Sequence, residues 1–333
     1  SAGGEEVASA EGPAPLVVDN ADWLGQARLL DFLREVGKHF SVNAMVARDA
    51  VRARLEGRDQ GISYTEFSYA LLQAVDFREL FDRHGCLLQV GGSDQWGNIA
   101  DGVDLIRRTR GGAPAWGLTF PLVTDAAGRK FGKTEAGALW LDASRTSPYD
   151  VYQYFVRTDD RNVGPFLRIF TLLPLDRIAS MEASHAGDPA ARAAHRALAR
   201  EVVGLLHGEA EAARAEEAAR GVYGDVPPER LSEGALEVIL RHGPSVRLPA
   251  EALASATLAS GGIGLAQVLV EAGLASSRSE AARLLRQGGV YLNEERQTDP
   301  ARPIVPADFR GPRRVAVLRR GKQERRFLFA HRA

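Results

Sequence analysis

The feature that most constrains this 333-residue chain is a short apolar run that ends in two glycines and turns straight into a helix. Cys86-Leu87-Leu88-Gln89-Val90 has the length and composition of a buried strand. It ends in Gly91-Gly92-Ser93-Asp94, and helical spacing runs from near Gln95 to Arg108. Strand, glycine turn and helix start, in that order, form the phosphate- or sugar-binding edge of an open α/β sheet. Glycines there let the backbone approach a ligand closely. Asp94 is placed to accept from ribose hydroxyls, and Gln95 enters the same crevice. The pattern fits equally well a tight turn in which Ser93 or Asp94 only caps the helix.

A helix precedes that strand. Ser63-Tyr64-Thr65-Glu66 is a capping-box pattern, and helical spacing follows to about His84. Tyr69, Gln73 and Asp76 stand at i, i+4 and i+7, so they share one face. Such a trio is often only a solvated polar stripe. The many Phe, Leu and Val residues around it argue for burial instead, and a buried carboxylate needs a partner. A phenol, an amide and a carboxylate together suit a zwitterionic or hydroxylated small molecule.

Phe120–Thr124 reads as a second strand and Asp125–Gly128 as a turn. The loop Lys130-Phe131-Gly132-Lys133-Thr134 follows. The chain has 42 basic residues but only four lysines, Lys38, Lys130, Lys133 and Lys322. Two lysines in one five-residue loop of an arginine-rich chain favour function over an exposed basic loop. Ammonium groups on flexible stems suit a phosphate whose charge moves during reaction. Thr134 can donate to a phosphate oxygen. Neither a P-loop nor a dinucleotide glycine fingerprint is present.

The rest of the chain is organised around these motifs. Helical spacing is expected near 23–40 and over 43–56, with Asn43 as cap. Ser147-Pro148 starts an alanine-rich helical region with breaks at Gly164-Pro165, Pro174 and Gly187–Pro189. Residues 224–262 are rich in Pro, Gly and Ser and read as a linker. The terminal block opens with helices near 264–272 and 278–287. Strands follow at Val290–Leu292, Val315–Leu318 and Arg326–Phe329. Residues 263–333 carry 14 basic and 7 acidic side chains, against 28 and 36 in the remainder. A basic block on an acidic body suits a polyanion partner or simply a solvated surface. No run is apolar enough to span a membrane. One cysteine, Cys86, excludes an internal disulfide and a cysteine-based zinc site within one chain. No protein-bound metal is expected, and a reducing cytoplasm fits best.

These motifs resemble those of the bacterial-type tyrosyl-tRNA synthetases, class I aminoacyl-tRNA synthetases. Tyr69–Asp76 resembles that family's tyrosine-binding helix, and Gly91–Asn98 its second binding turn. Lys130–Thr134 resembles its KMSKS-type signature loop. The similarity includes Gly37–Asn43 and Asp59–Ser63 and covers roughly residues 19–333. Its last part, 263–333, looks like the α-L RNA-binding module shared with a ribosomal small-subunit protein. The resemblance implies an α/β fold. It would be the second half of a class I Rossmann-like catalytic domain, followed by an α-helical domain and a small α+β α-L domain. The implied organisation is a leader or loop (1–15), the C-terminal part of the nucleotide-binding domain with the lysine loop (16–147), a helical tRNA-binding domain (148–223), a linker (224–262) and the α-L domain (263–333).

The same resemblance implies activation of L-tyrosine by ATP, with Mg2+ as its counterion, and transfer to tRNA(Tyr) bound through the helical and terminal domains. It implies a homodimer. Tyr69 and Gln73 would hold the tyrosine ammonium, Asp76 its hydroxyl, and Gln95 would lie beside the carboxylate. Gly92 and Asp94 would face the ribose of the adenylate. Lys130, Lys133 and Thr134 would be catalytic, stabilising pyrophosphate. One departure stands out. No His-x-Gly-His motif occurs, and the first residue is Ser. The chain is therefore expected to be a fragment that does not activate tyrosine alone. Two alternatives remain: a non-catalytic RNA-binding or regulatory protein derived from such a synthetase, and, less well matched by Asp76, the tryptophanyl branch.

Overall fold

The computed structural model describes residues 15–48, 51–52, 55, 61–124, 126, 128, 131, 133–134, 137–249, 263–311, 313–321 and 324–331. The chain divides into two units, 1–123 and 124–333.

In the first unit, α1 (Ala21–Leu24), α2 (Leu29–Glu35) and α3 (Val42–Val46) precede the long helix α4 (Tyr64–His84). Ser41, not Asn43, occupies the N-cap of α3, which ends at Val46; within the expected 43–56 helix, residues 49–50, 53–54 and 56 lie outside the described residues. The capping box forms as expected: Ser63 accepts from the Glu66 amide and Glu66 reaches back to Ser63. Gly85, at φ +64, closes α4 in the left-handed region. Strand β1 (Leu88–Gly92), helix α5 (Trp96–Thr109) and strand β2 (Trp116–Phe120) then form a parallel β–α–β unit. Phe77 of α4 and Ile99, Leu105 and Ile106 of α5 are fully buried.

Two strand expectations need correction. The first strand starts two residues later than expected and is not buried on both faces: Leu88 is 48% and Val90 51% exposed. Its alternate residues face α5, where a Cβ on Gly91 would lie 3.1 Å from Ile99. The second strand is Trp116–Phe120, not Phe120–Thr124. Proline has no N–H for the ladder, so Pro121 ends it. Gly117 lets Ile99 approach, since a Cβ there would meet it at 2.4 Å.

In the second unit a short hairpin, β3 (Lys133–Thr134) and β4 (Gly137–Ala138), precedes six helices. These are α6 (Pro148–Val156), α7 (Asp160–Phe170), α8 (Leu175–Gly187), α9 (Ala193–His207), α10 (Glu209–Tyr223) and α11 (Glu233–His242). Ser147 caps α6 with Pro148 at its first turn. No break occurs at Gly164-Pro165. Helix α7 runs through both, and Asp159 caps it instead. Gly164 lies so close to Glu182 of α8 that a Cβ would overlap its carboxylate. Helix crossing outweighs the proline cost here.

Residues 224–262 are not wholly a linker. Ser232 caps α11, and β5 (Ser245–Pro249) joins a five-stranded sheet; residues 250–262 lie outside the described set. Helices α12 (Leu265–Glu271) and α13 (Arg278–Arg286) come next. Strands β6 (Val290–Leu292), β7 (Glu295–Gln297), β8 (Val315–Arg320) and β9 (Glu324–His331) complete the sheet, in the order β5-β9-β8-β6-β7. Only β5 and β9 run parallel within it. Leu248, Leu265, Val268, Leu285 and Leu328 share its core. Among the described residues no helix is long and apolar enough to cross a membrane.

Candidate functional site

The glycine turn at the end of β1 carries Gly92, Asp94 and Gln95, and Gln95 is linked through Asn98 to Tyr69 of α4. Gly91 and Gly92 end the strand, Ser93–Gln95 make one 3-10 turn, and α5 begins at Trp96. This is the carboxyl end of two parallel strands, where open α/β sheets place ligands. Gln95 is the N-cap of α5, and its side chain makes no cap bond. Gly92 leaves room for Asp94: a Cβ on it would lie 2.7 Å from the Asp94 carboxylate. Asp94 is exposed.

Tyr69, Gln73 and Asp76 follow one face of α4, as their spacing requires. Asn98 connects that helix to the turn. Its Nδ2 donates to the Tyr69 hydroxyl at 3.3 Å and to Gln95 Oε1 at 3.3 Å. Asn98 is buried, whereas Tyr69 is 48% exposed and presents its ring outward. In the sequence Asn98 has no role of its own beyond closing the Gly91–Asn98 motif, although its place three residues after Gln95 on one helix was the available signal. Asp76 is half-buried and accepts from the Trp23 indole N–H at 3.0 Å. Burial pushes its carboxyl above the usual range, and hydrogen bonds from Trp23 and Asn20 oppose that shift. Trp23 and Asn20, far away in sequence, carried no mark that linked them to Asp76.

The lysine loop lies in the second unit. Lys130 and Gly132 fall outside the described residues. The backbone of Lys133 and Thr134 forms β3, paired to Ala138 and Gly137. The ring of Phe131 packs among aromatic side chains of α6 and α7.

A further polar cluster, not anticipated from the sequence, joins Asp160, His185 and His195. His195 is fully buried. Its Nε2 lies 3.1 Å from both Asp160 Oδ1 and the Thr158 carbonyl oxygen. The three potential ligand atoms lie within 4.8 Å of one another, but the Arg192 guanidinium stands 3.8 Å from the same Asp160 oxygen, a charge that opposes a cation there. Burial, reinforced by Arg192, lowers the His195 pKa from 6.5 to about 4. His195 is therefore neutral when folded, and the unfolded chain binds the extra proton. Its contribution to stability is complete above about pH 6.5 and is lost as pH falls towards 4, by at most about 3 kcal/mol. Urea unfolding at pH 7 and 4.5 should show this loss, and His195→Gln should flatten it. An equally steep loss in the variant would assign it to other groups.

The arginines of the terminal block are largely committed inside the protein. Arg302 pairs with Asp308 at 2.6 Å, Arg313 with Glu237 at 2.7 Å, and Arg319 with Glu294 at 2.8 Å. Arg283 and Arg286 on α13 are exposed and have no hydrogen bond or ion pair among the described residues.

Comparisons with known proteins identify the family. Residues 12–224 match the family of class I tRNA synthetases (W and Y), and residues 263–309 match the S4 domain. The tyrosine–tRNA ligase of Roseiflexus castenholzii is 47% identical over 308 residues, which are 92% of this chain and 70% of that protein. That of Bacillus caldotenax is 43% identical over 316 residues, 95% of this chain and 72% of that protein. Among solved structures, a C-terminally truncated mitochondrial tyrosyl-tRNA synthetase from Coccidioides posadasii aligns at 36% identity and TM-score 0.51. That alignment covers 60% of this chain and 56% of the other. The chain thus spans about 70% of the length of the curated relatives and a little over half of the solved one. The chain belongs to the tyrosine–tRNA ligase family of class I tRNA synthetases and carries an S4 domain.

Proposed function

We propose that the whole protein of which these residues form the site activates L-tyrosine with ATP and transfers it to tRNA(Tyr) in the cytoplasm. The observation that carries this reading is the Tyr69–Asn98–Gln95 hydrogen-bond chain, with a half-buried Asp76 two turns along the same helix from Tyr69. Tyr69 and Gln73 hold the ammonium group, Gln95 lies beside the carboxylate, and Asp76 accepts from the phenol. Phenylalanine offers that carboxylate no hydroxyl and so forgoes a hydrogen bond that tyrosine makes, the kind of discrimination for which tyrosyl enzymes are a known example. Gly92 and Asp94 take the adenylate ribose. Lys130, Lys133 and Thr134 meet the pyrophosphate of ATP, supplied as its Mg2+ complex. The β–α–β unit of the first unit belongs to the second half of a Rossmann-like domain. Helices of the second unit and the S4 region, with the exposed Arg283 and Arg286 facing solvent, receive the tRNA, and the active species is a homodimer.

The test joins this chain to the part of the Roseiflexus castenholzii relative that it does not cover. The chimera should exchange labelled pyrophosphate into ATP only when tyrosine is present, and should charge tRNA(Tyr). A folded chimera that binds tRNA(Tyr) without exchange would overturn the ligase reading in favour of a non-catalytic RNA-binding or regulatory role.

A further inference from the structure

The Phe131 ring, just before the lysine-bearing hairpin, packs against α6 and α7. The Phe131 ring centre lies 4.6 Å from Phe170, 5.3 Å from Phe166, 5.6 Å from Tyr154 and 6.1 Å from Phe155. The contacts with Tyr154 and Phe166 are edge-to-face, at 82° and 83°, and the other two are tilted. These are favourable separations and orientations for aromatic pairs. The four walls also pack on one another: Phe166 lies 5.4 Å from Phe170, and Tyr154 5.2 Å from Phe155. Phe155 and Phe166 are buried in α6 and α7. The slot is therefore built by the helices themselves, and the loop residue fills it.

The far side of the hairpin is held as well. The Trp140 backbone N–H donates to Thr146 Oγ1 at 3.0 Å, and the Arg145 guanidinium stacks 3.2 Å from the Trp140 ring centre. Lys133 and Thr134 thus sit on a two-residue-paired hairpin between two attachments to the same unit. A ring in a rigid slot two residues before Lys133 limits the positions that β3 can take, because each residue spans only about 3.3 Å.

We propose that Phe131 is a positioning residue for tyrosine activation: its aromatic slot in α6 and α7 fixes where the hairpin presents Lys133 and Thr134. This rests on the reading of those two residues as phosphate-handling groups.

The first measurement needs no activity. Trypsin can cut after Arg129, Lys130 and Lys133. In the 333-residue chain, Phe131→Ala should speed cleavage at these bonds about tenfold, because cleavage follows the population of the opened segment. Cutting elsewhere should not change. Phe131→Leu, which keeps apolar bulk in the slot, should stay close to the original rate. Should Phe131→Ala fail to fold, Phe170→Leu loosens the slot from the helix side and should speed the same cuts about threefold. Unchanged rates in a folded Phe131→Ala, or in Phe170→Leu where that variant is used, would overturn the proposal.

The second measurement uses the chimera. Phe131→Ala should lower the kcat of exchange about tenfold with the KM for tyrosine unchanged, and Phe131→Leu should restore it. A rise in KM alone would overturn the positioning role. Faster cleavage with unaffected exchange in both Phe131→Ala and Lys133→Ala would instead reject the phosphate-handling reading and leave the anchor standing.

Discussion

Lys133→Ala in the chimera is expected to slow tyrosine-dependent pyrophosphate exchange by about 10²–10³-fold, the usual cost of removing one charge-stabilising donor. The dissociation constant of tyrosine should stay within about twofold. The asymmetry follows from what a lysine offers. Its ammonium is a compact charge on a flexible stem, suited to a phosphate group whose charge grows as the bond to the α-phosphate breaks. Lys133 lies on β3, in the second unit, whereas Tyr69, Gln73, Asp76 and Gln95 lie in the first. The Tyr69–Asn98–Gln95 hydrogen bonds are made by side chains of the first unit alone. Exchange rates and equilibrium binding of tyrosine measure the two quantities separately. Equal losses in both would show that Lys133 contributes to substrate binding rather than to the transition state.

The elements legible in the sequence were those fixed by local chemistry. Ser63 and Glu66 cap α4, Ser147 and Pro148 start α6, and Gly273 and Gly288 take φ of +67 and +66 after α12 and α13. Each needs only neighbours in the chain. What failed depended on distant contacts. Pro165 reads as a helix breaker, yet α7 runs through it, and beside it Gly164 passes close to the Glu182 carboxylate of α8. Strand β5 is hidden in a Pro- and Ser-rich segment because its partner, β9, lies about eighty residues further on. Strand β7 was missed because its two-residue turn is Asn293-Glu294, not the Asn-Gly that marks such hairpins. Both residues have positive φ, and Asn293 is fixed by bonds to Val317 and Asp308.

The candidate site divides in the same way. Tyr69, Gln73 and Asp76 share a face by helical arithmetic, so spacing alone placed them. Their hydrogen-bond partners, Asn98 and Trp23, come from other elements and became visible only in three dimensions. The aromatic slot around Phe131 likewise needs α6 and α7 in place before any of its five rings can be associated.

The hidden strand changes where the RNA-binding block can be removed. Composition places the boundary near residue 262, but a chain ending there keeps β5 without β9. Leu248, fully buried beneath the sheet, would lose its cover at a cost of about 2 kcal/mol, and β5 would present an unpaired edge. A chain ending at residue 243 removes β5 with its sheet. It keeps α11, which packs against α10 and α6 as well as against the sheet. It also loses Arg313, which pairs with Glu237 at the surface, a contact worth little. The 1–262 chain is therefore expected to aggregate and to be cut rapidly by protease, while 1–243 stays monodisperse with the helical melting transition intact. In the chimera, ending at 243 should leave tyrosine-dependent exchange within about twofold and lower charging of dilute tRNA(Tyr) roughly tenfold or more. The salt dependence of tRNA binding should fall by nearly one unit of slope for about every phosphate contact removed. Light scattering on the two truncations separates the structural claim from the functional one. If 1–262 were as well behaved as 1–243, the β5–β9 pairing would not matter for stability. If charging survived the shorter ending unchanged, the S4 region would not be what holds the tRNA.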